Sequence, residues 1–316
     1  MKAVVYDRYG PPDVLRLVDV PVPAPRAGQV LVEVVATSVN LSDWECLVGS
    51  PAHARIGGLR RPARRVLGSD IAGRVAAVGP GVTRFRPGDE VYGDNLGLKG
   101  GFAEYAVAPE SALAAKPASL TFAQASTLPQ AGAIALQGTA AAGPGTRVLV
   151  NGAGGGSGSF AIQLAKAAGA HVTGVDNAGK LDHMRSLGAD EVVDHRAQDF
   201  TRLGPFDLVL DLAAHRSVFA YRHALARGGR YLCVGGPVPT MLSVLVVGGV
   251  LGRLTGRRIG VLAVRPGPDH FGPLAERCAA GEVRIHVDRT FDLEEVPAAL
   301  ALVGAGGARG KVVVEV

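Results

Sequence analysis

The residues best suited to chemistry lie mid-chain, in RVLVNGAGGGSGSFAIQLAKAAGAHVTGVD (147–176). An apolar run, RVLVNG, leads into glycines and out into a helical pattern, FAIQLAKAAG. Gly155, Gly156 and Gly158 sit where a backbone must turn tightly and approach a pyrophosphate. The helix that follows offers unpaired N–H groups and its positive dipole end to that phosphate. Glycine loops are common in a chain with 44 glycines, so context decides. Here a strand precedes, a helix follows, and a second strand ends on Asp176 about 20 residues on, the arrangement of a dinucleotide site. A carboxylate at Asp176 accepts ribose hydroxyls and repels a 2′-phosphate, which favours NADH over NADPH. An N-cap for the next segment is an equally good reading of Asp176, and Lys180 offers a phosphate partial compensation.

Other reactive side chains are scattered. Cys46, Cys233 and Cys278 are too far apart for a disulfide framework or a CxxC knuckle, and a cytoplasmic chain is expected. His53, His171, His183, His195, His215, His223, His270 and His286 form no i, i+4 pair with a nearby acid. No metal site is legible.

These side chains need a scaffold, and the sequence changes grammar along its length. Residues 2–6, 30–37, 71–78, 90–92 and 103–108 read as strands, punctuated by PPD, PVPAPRAG, GPGV and RPGD. That predicts a small β-barrel or sandwich up to about residue 115. A helical stretch, 121–137, is broken at Pro129. Strands then alternate with amphipathic helices, one of them over 217–227, which predicts a parallel sheet covered on both faces. The region 268–316 adds a helix over 269–280 and a final strand, KVVVEV.

The chain has 316 residues, 47% of them hydrophobic and 19% charged, so it is globular and long enough for two cores. Thirty-three Lys+Arg against 28 Asp+Glu give a net +5, scattered as in RRPARR (60–65), so no nucleic-acid partner is expected. MKAVVYDRYG lacks the apolar core of a signal peptide, and the run MLSVLVVGGVLG (241–252) is short of a membrane span. That run reads as a buried or interface segment, and no membrane partner is expected.

The order of several segments resembles the medium-chain dehydrogenase/reductase superfamily, and within it the zinc-free quinone oxidoreductase and enone reductase branch. These segments are ATSVNLSDW (36–44), VLGSDIAGRVAAVG (66–79), RPGDEVYG (86–93), GGFAEYAV (100–107), PQAGAIALQ (129–137), NGAGGGSGSFAIQLAKAAGA (151–170), LGADEVVD (187–194) and ARGKVVVEV (308–316). The resemblance implies an α/β fold: a GroES-like β-barrel domain (1–123 and 267–316) around a Rossmann doubly wound domain (124–266), with the substrate cleft between them. Zinc enzymes of this superfamily place Cys where Asn40 stands and His where Ser69 stands, and Asn and Ser are poor zinc ligands.

The function implied is zinc-independent, NAD(P)H-dependent reduction of an enone, enal or quinone. Without a Lewis acid, such a site needs orientation, an oxyanion donor and a proton source. Asn40, implied to lie against the nicotinamide ribose and the substrate, is the candidate donor; the alternative is an Asn closing a turn. Asp43 is a catalytic candidate or a helix cap, and Trp44 lines the cleft. The family's Tyr and Arg are replaced by Glu45 and Leu47, leaving Tyr92 and Lys99 as substitutes. The cofactor set comprises Asn40 with Gly152, Ala153, Gly155, Gly156, Ser157 and Gly158 of the loop. Asp176, Asn177 and Lys180 follow the second strand, Asp211 ends FDLVLD, Val234, Gly235 and Gly236 follow RYLC, and Lys311 lies near the end. A small-molecule carbonyl or quinone and a second copy of the chain are the expected partners. A nucleotide-binding protein with little turnover, or a biosynthetic step in the same cleft, are the alternatives.

Overall fold

The computed structural model describes residues 1–56 and 58–316. The chain runs β1 (Lys2–Val5), β2 (Arg16–Asp19), β3 (Gln29–Val39), α1 (Leu41–Val48), β4 (Asp70–Val78), β5 (Glu90–Asp94), β6 (Tyr105–Pro109), β7 (Leu113–Ala115), α2 (Phe122–Ser126) and α3 (Pro129–Thr139). It continues through β8 (Arg147–Asn151), α4 (Gly156–Ala167), β9 (His171–Asp176), α5 (Leu181–Ser186), β10 (Glu191–Asp194), β11 (Phe206–Asp211), α6 (Val218–Ala224), β12 (Leu225–Cys233), α7 (Val238–Thr255) and β13 (Arg258–Val261). The last elements are α8 (Pro268–Ala279), β14 (Val287–Asp292), α9 (Val296–Gly304) and β15 (Lys311–Glu315).

Two compact units result: Met1–Ala133 with Pro266–Val316, and Ile134–Arg265. The first seam lies inside α3, ten residues beyond the expected 123/124 boundary. The glycines of α3 show why: a Cβ on Gly132 would strike Leu274 of α8, whereas one on Gly138 would strike Leu210 of β11. The start of this helix is therefore packed with the first unit and its end with the second.

In the first unit, β14-β15-β3-β4-β5-β7 form one sheet, with β6 also paired to β3. All its pairings are antiparallel except β14–β15. Inward-facing Val30, Val32, Val34, Ile71, Val75 and Val91 fill one core, as the period-two alternation requires. The strands β2 and β7 had no counterpart in the sequence reading; both are short, and β2 is mostly half-buried or exposed.

The second unit holds a six-stranded parallel sheet in the order β10-β9-β8-β11-β12-β13. Two expectations change here. The helix read over 217–227 stops at Ala224, because Leu225 already pairs with Phe206 as the first residue of β12. The run 241–252 belongs to a longer helix, the 18-residue α7, which is 22% buried over its apolar window. Among the described residues it is the one helix long and apolar enough to cross a membrane by length and composition. Its buried side is nonetheless seated on the sheet: a Cβ on Gly248 would meet Ile259, and one on Gly252 the Arg257 carbonyl. Leu242, Leu245, Val246, Val250 and Leu254 are exposed, so the buried reading of this segment does not hold.

Candidate functional site

The second unit builds a nucleotide cradle from strand ends. After Asn151 the chain turns at Gly152 (φ +81°), whose N–H donates to the Val175 carbonyl of β9 at 2.9 Å. The first intrahelical bond of α4 runs from Ser159 N–H to the Gly155 carbonyl at 2.8 Å. The N–H groups of Gly156, Ser157 and Gly158 precede it, on the first turn, where an anion would meet the positive end of the helix dipole. Gly158 is required for packing, since a Cβ would lie 2.3 Å from the Gly152 carbonyl oxygen. Gly155 is different: a Cβ there meets nothing nearer than 3.5 Å, so this face of the loop is open for a ligand to approach. Ala153 is fully buried under the loop and Ser157 is half-exposed on the first turn of α4.

Asp176 closes the cradle. Its Oδ2 accepts the Gly154 N–H at 3.0 Å, and its Oδ1 accepts the Asn177 backbone and side-chain N–H groups at 2.9 and 3.1 Å. The Lys180 ammonium lies 3.4 Å from Oδ1, and its stem crosses Gly154. Both partners are at least nine-tenths buried. The cap reading of this position goes to Asn177, whose Oδ1 accepts the Gly179 N–H at 3.1 Å. The charge expected to select the cofactor is thus already matched by Lys180.

Asp211, expected to touch the cofactor, is fully buried. It accepts Asn151 Nδ2–H at 2.7 Å and the Tyr231 hydroxyl at 2.9 Å, and burial raises its carboxyl above the usual range. Its role is to tie the carboxyl ends of β8, β11 and β12 together beneath the loop. Val234, Gly235 and Gly236 follow β12 at that same end, with Gly235 O accepting the Ala214 N–H at 2.9 Å.

The first unit brings together the remaining candidates around Asn40. Its backbone N–H donates to Asp43 Oδ2 at 3.1 Å, so Asp43 caps α1 as one of its two readings required. Asp43 also accepts the Gly68 N–H and the Lys99 ammonium, each at 3.2 Å, and is fully buried. The Asn40 carboxamide donates to Asp70 Oδ2 at 2.9 Å and to Ser69 Oγ at 3.3 Å, while its Oδ1 accepts Lys311 Nζ–H at 2.7 Å. Asp70 additionally accepts Ser38 Oγ–H at 3.0 Å and Gln130 N–H at 3.1 Å, and Lys311 Nζ lies 3.5 Å away. Burial opposes charge on both, raising Asp70 and lowering Lys311. The donors turned on Asp70, from Lys311, Asn40, Gln130 and Ser38, offset part of that burial.

Several assignments are corrected by this geometry. Asn40 has no uncommitted amide hydrogen, so it is not a free oxyanion donor. Lys311 is spent on Asn40 and Asp70 rather than on a cofactor. Trp44 packs its indole against Gly304 of α9 in the apolar core. Tyr92 is 2% exposed and packs edge-on against Phe271 at 5.2 Å in the core, where burial raises its hydroxyl pKa. Lys99 adopts φ +57° and is held charged by Asp43. Asp70 was missed as a functional residue, since an acid at the start of an apolar strand reads as punctuation.

The side chains around Asn40 are a hydroxyl, a carboxylate and an ammonium, with Asn and Ser where zinc enzymes carry Cys and His, and among the described residues no group of three or more His, Cys, Asp or Glu could hold a metal ion.

Comparison with known proteins adds to this. Residues 26–118 match the alcohol dehydrogenase GroES-like domain, and 187–314 match the zinc-binding dehydrogenase family. A chloroplastic quinone oxidoreductase of Triphysaria versicolor is 32% identical across all of this chain and 98% of its own length. A 2-methylene-furan-3-one reductase of Solanum lycopersicum is 33% identical across 99% of this chain and 79% of its own. The solved quinone oxidoreductase of Coxiella burnetii has a TM-score of 0.90 at 31% identity, covering 100% of this chain and 99% of that one.

Proposed function

Because the chain belongs to the quinone oxidoreductase and enone reductase branch of the medium-chain dehydrogenase/reductase superfamily, we propose that it reduces a quinone or a conjugated enone or enal with NAD(P)H. The observation that carries this reading is the glycine cradle, open at Gly155 and closed at Gly158, ahead of an acidic second strand end. When bound, the dinucleotide supplies the hydride. The chain's part is to seat its pyrophosphate on the first turn of α4 and its ribose end beside Asp176 and Lys180.

Reduction of a conjugated acceptor suits a centre without a Lewis acid, since the carbonyl itself spreads the developing charge. The amide, hydroxyl and ammonium around Asn40 support zinc independence. The sign of Asp176 supports NADH over NADPH, with Lys180 narrowing the margin. Three free cysteines support a reducing cytoplasm, and the exposed apolar stripe of α7 supports a homodimer. The test is consumption of NADH and NADPH, in parallel, with a panel of enones, enals and quinones, alongside metal analysis. Turnover on at least one acceptor, unchanged by chelators, is expected. Tight dinucleotide binding with no acceptor consumed would instead favour a binding protein.

A further inference from the structure

Two stretches that the nucleotide cradle leaves unused, PVPAPR (21–26) and PARR (62–65), border a recess of about 390 Å³ that lies wholly within the first unit. Pro21, Pro23 and Pro25 each fix φ near about −65°, so the run between β2 and β3 forms a stiff wall without joining a sheet. Another wall comes from β6. Its Ala106 and Ala108 belong to the core, so alternation turns Tyr105 and Val107 the other way, and both line the recess. Val66 and Ala103 extend this apolar lining from the small cluster they form with Ala3 and Val5. The charges are one-sided: among the described residues the lining carries cations and no Asp or Glu. Lys99 is committed elsewhere, its ammonium 3.2 Å from Asp43. Arg26 and Arg64 are exposed, and neither meets a carboxylate of the described residues. Arg65, next along the chain, shows the contrast, since it shares Asp7 with Arg16 at 2.6 and 2.7 Å. Glu104, between two lining residues, is turned instead to the Lys2 N–H at 2.7 Å.

We propose that this recess binds a small amphipathic anion, a carboxylate on an apolar body, as a site separate from the dinucleotide cradle. The guanidinium groups of Arg26 and Arg64 hold the carboxylate, and Val66, Ala103 and Val107 receive the body. The volume falls within the range of small-molecule sites, about 300–1,000 Å³. The proline wall is ordered before a ligand arrives, which lowers the cost of binding. An inorganic anion gains nothing from the apolar lining, and a neutral hydrocarbon gains nothing from the two arginines. A carboxylate with an apolar body gains from both.

Calorimetric titration of the full chain tests the site. Decanoate supplies an alkyl body and naphthoate an aromatic one, with decanol as the uncharged probe and acetate as the probe without a body. At least one of the two larger carboxylates should bind saturably, about tenfold or more tighter than decanol or acetate. Added salt should weaken that binding, since both arginines are exposed. The variant Arg26→Gln/Arg64→Gln should lose about tenfold in affinity for the carboxylate. Its melting temperature and NADH affinity should be kept, because both side chains are exposed and lie outside the cradle. No binding by either carboxylate, or equal affinity in that variant, overturns the proposal. So does competition by NADH, which would move the carboxylate to the cradle, or its loss in Leu245→Glu/Leu254→Glu, which would move it to α7. None of these readouts uses turnover, so failure here and failure of the reductase reading stay distinct.

Discussion

Two carboxylates make separate predictions at the scale of single residues. Asp176 and Lys180 form one unit across Gly154, so each substitution unbalances the other. Asp176→Ser should free Lys180 for a 2′-phosphate and shift the NADH-to-NADPH affinity ratio toward NADPH by about tenfold, the worth of one charge-assisted bond. Lys180→Met should shift it the other way. Parallel titrations with both dinucleotides check this, and tighter NADPH binding by the unmodified protein would remove the NADH assignment. Asp94 lies opposite Asp70 in the β4–β5 ladder; burial and then the Asp70 charge push its carboxyl up to about 7. A carboxyl raised on folding contributes stability that is complete at acid pH and is lost as pH rises through that value. The melting temperature should therefore fall between about pH 4 and pH 7, and Asp94→Asn should flatten that fall and melt higher at the neutral end. Identical melting profiles would place the proton elsewhere.

Elements decide what the sequence could reveal. The glycine cradle was legible because its parts are contiguous: strand, turn, helix and the next strand end all fall within 147–176. Its two critical glycines separate by assay. Gly158→Ala should lower thermal stability by driving a Cβ into the Gly152 carbonyl, whereas Gly155→Ala should leave melting unchanged and weaken dinucleotide binding. Equal melting of the two would show that the loop yields. The Asn40 cluster was not legible in the same way. Asn40, Asp70 and Lys311 come from separate stretches, and the β15–β3 and β3–β4 pairings bring them together. Trp44 and Tyr92 were misjudged for a related reason. An aromatic beside an active-site motif and an aromatic in the core look alike until α9 and α8 are packed on them. The end of α6 failed on competition, since Leu225 completes a helical pattern and a sheet ladder equally well.

For the whole molecule, the least settled surface is α7. Five large apolar side chains on it are exposed, Leu254 by 80%, and Phe219 of the neighbouring α6 by 54%. β13, against which α7 packs, is the edge strand of the parallel sheet. An apolar stripe beside an unpaired edge is a surface that proteins ordinarily cover. Light scattering should give twice the 32.4 kDa chain mass, and Leu245→Glu/Leu254→Glu should reduce it to the single-chain value while nucleotide affinity is kept. A monomer in the unmodified protein would leave the stripe to another partner.

The threading of the first unit has a consequence for synthesis. Residues 134–265 are one uninterrupted stretch, and their sheet can close while later residues are still being added. The β3–β4 half of the Asn40 cluster is made early, yet its counter-charge, Lys311, is translated only after the whole of that stretch. Until β15 arrives beside β3, Asp70 lacks its ammonium and the edge of β3 over residues 36–39 is open to any other strand. Nascent chains stalled before residue 311 should hence be recognised by holdase chaperones through the barrel segment, with the nucleotide unit already resistant to protease.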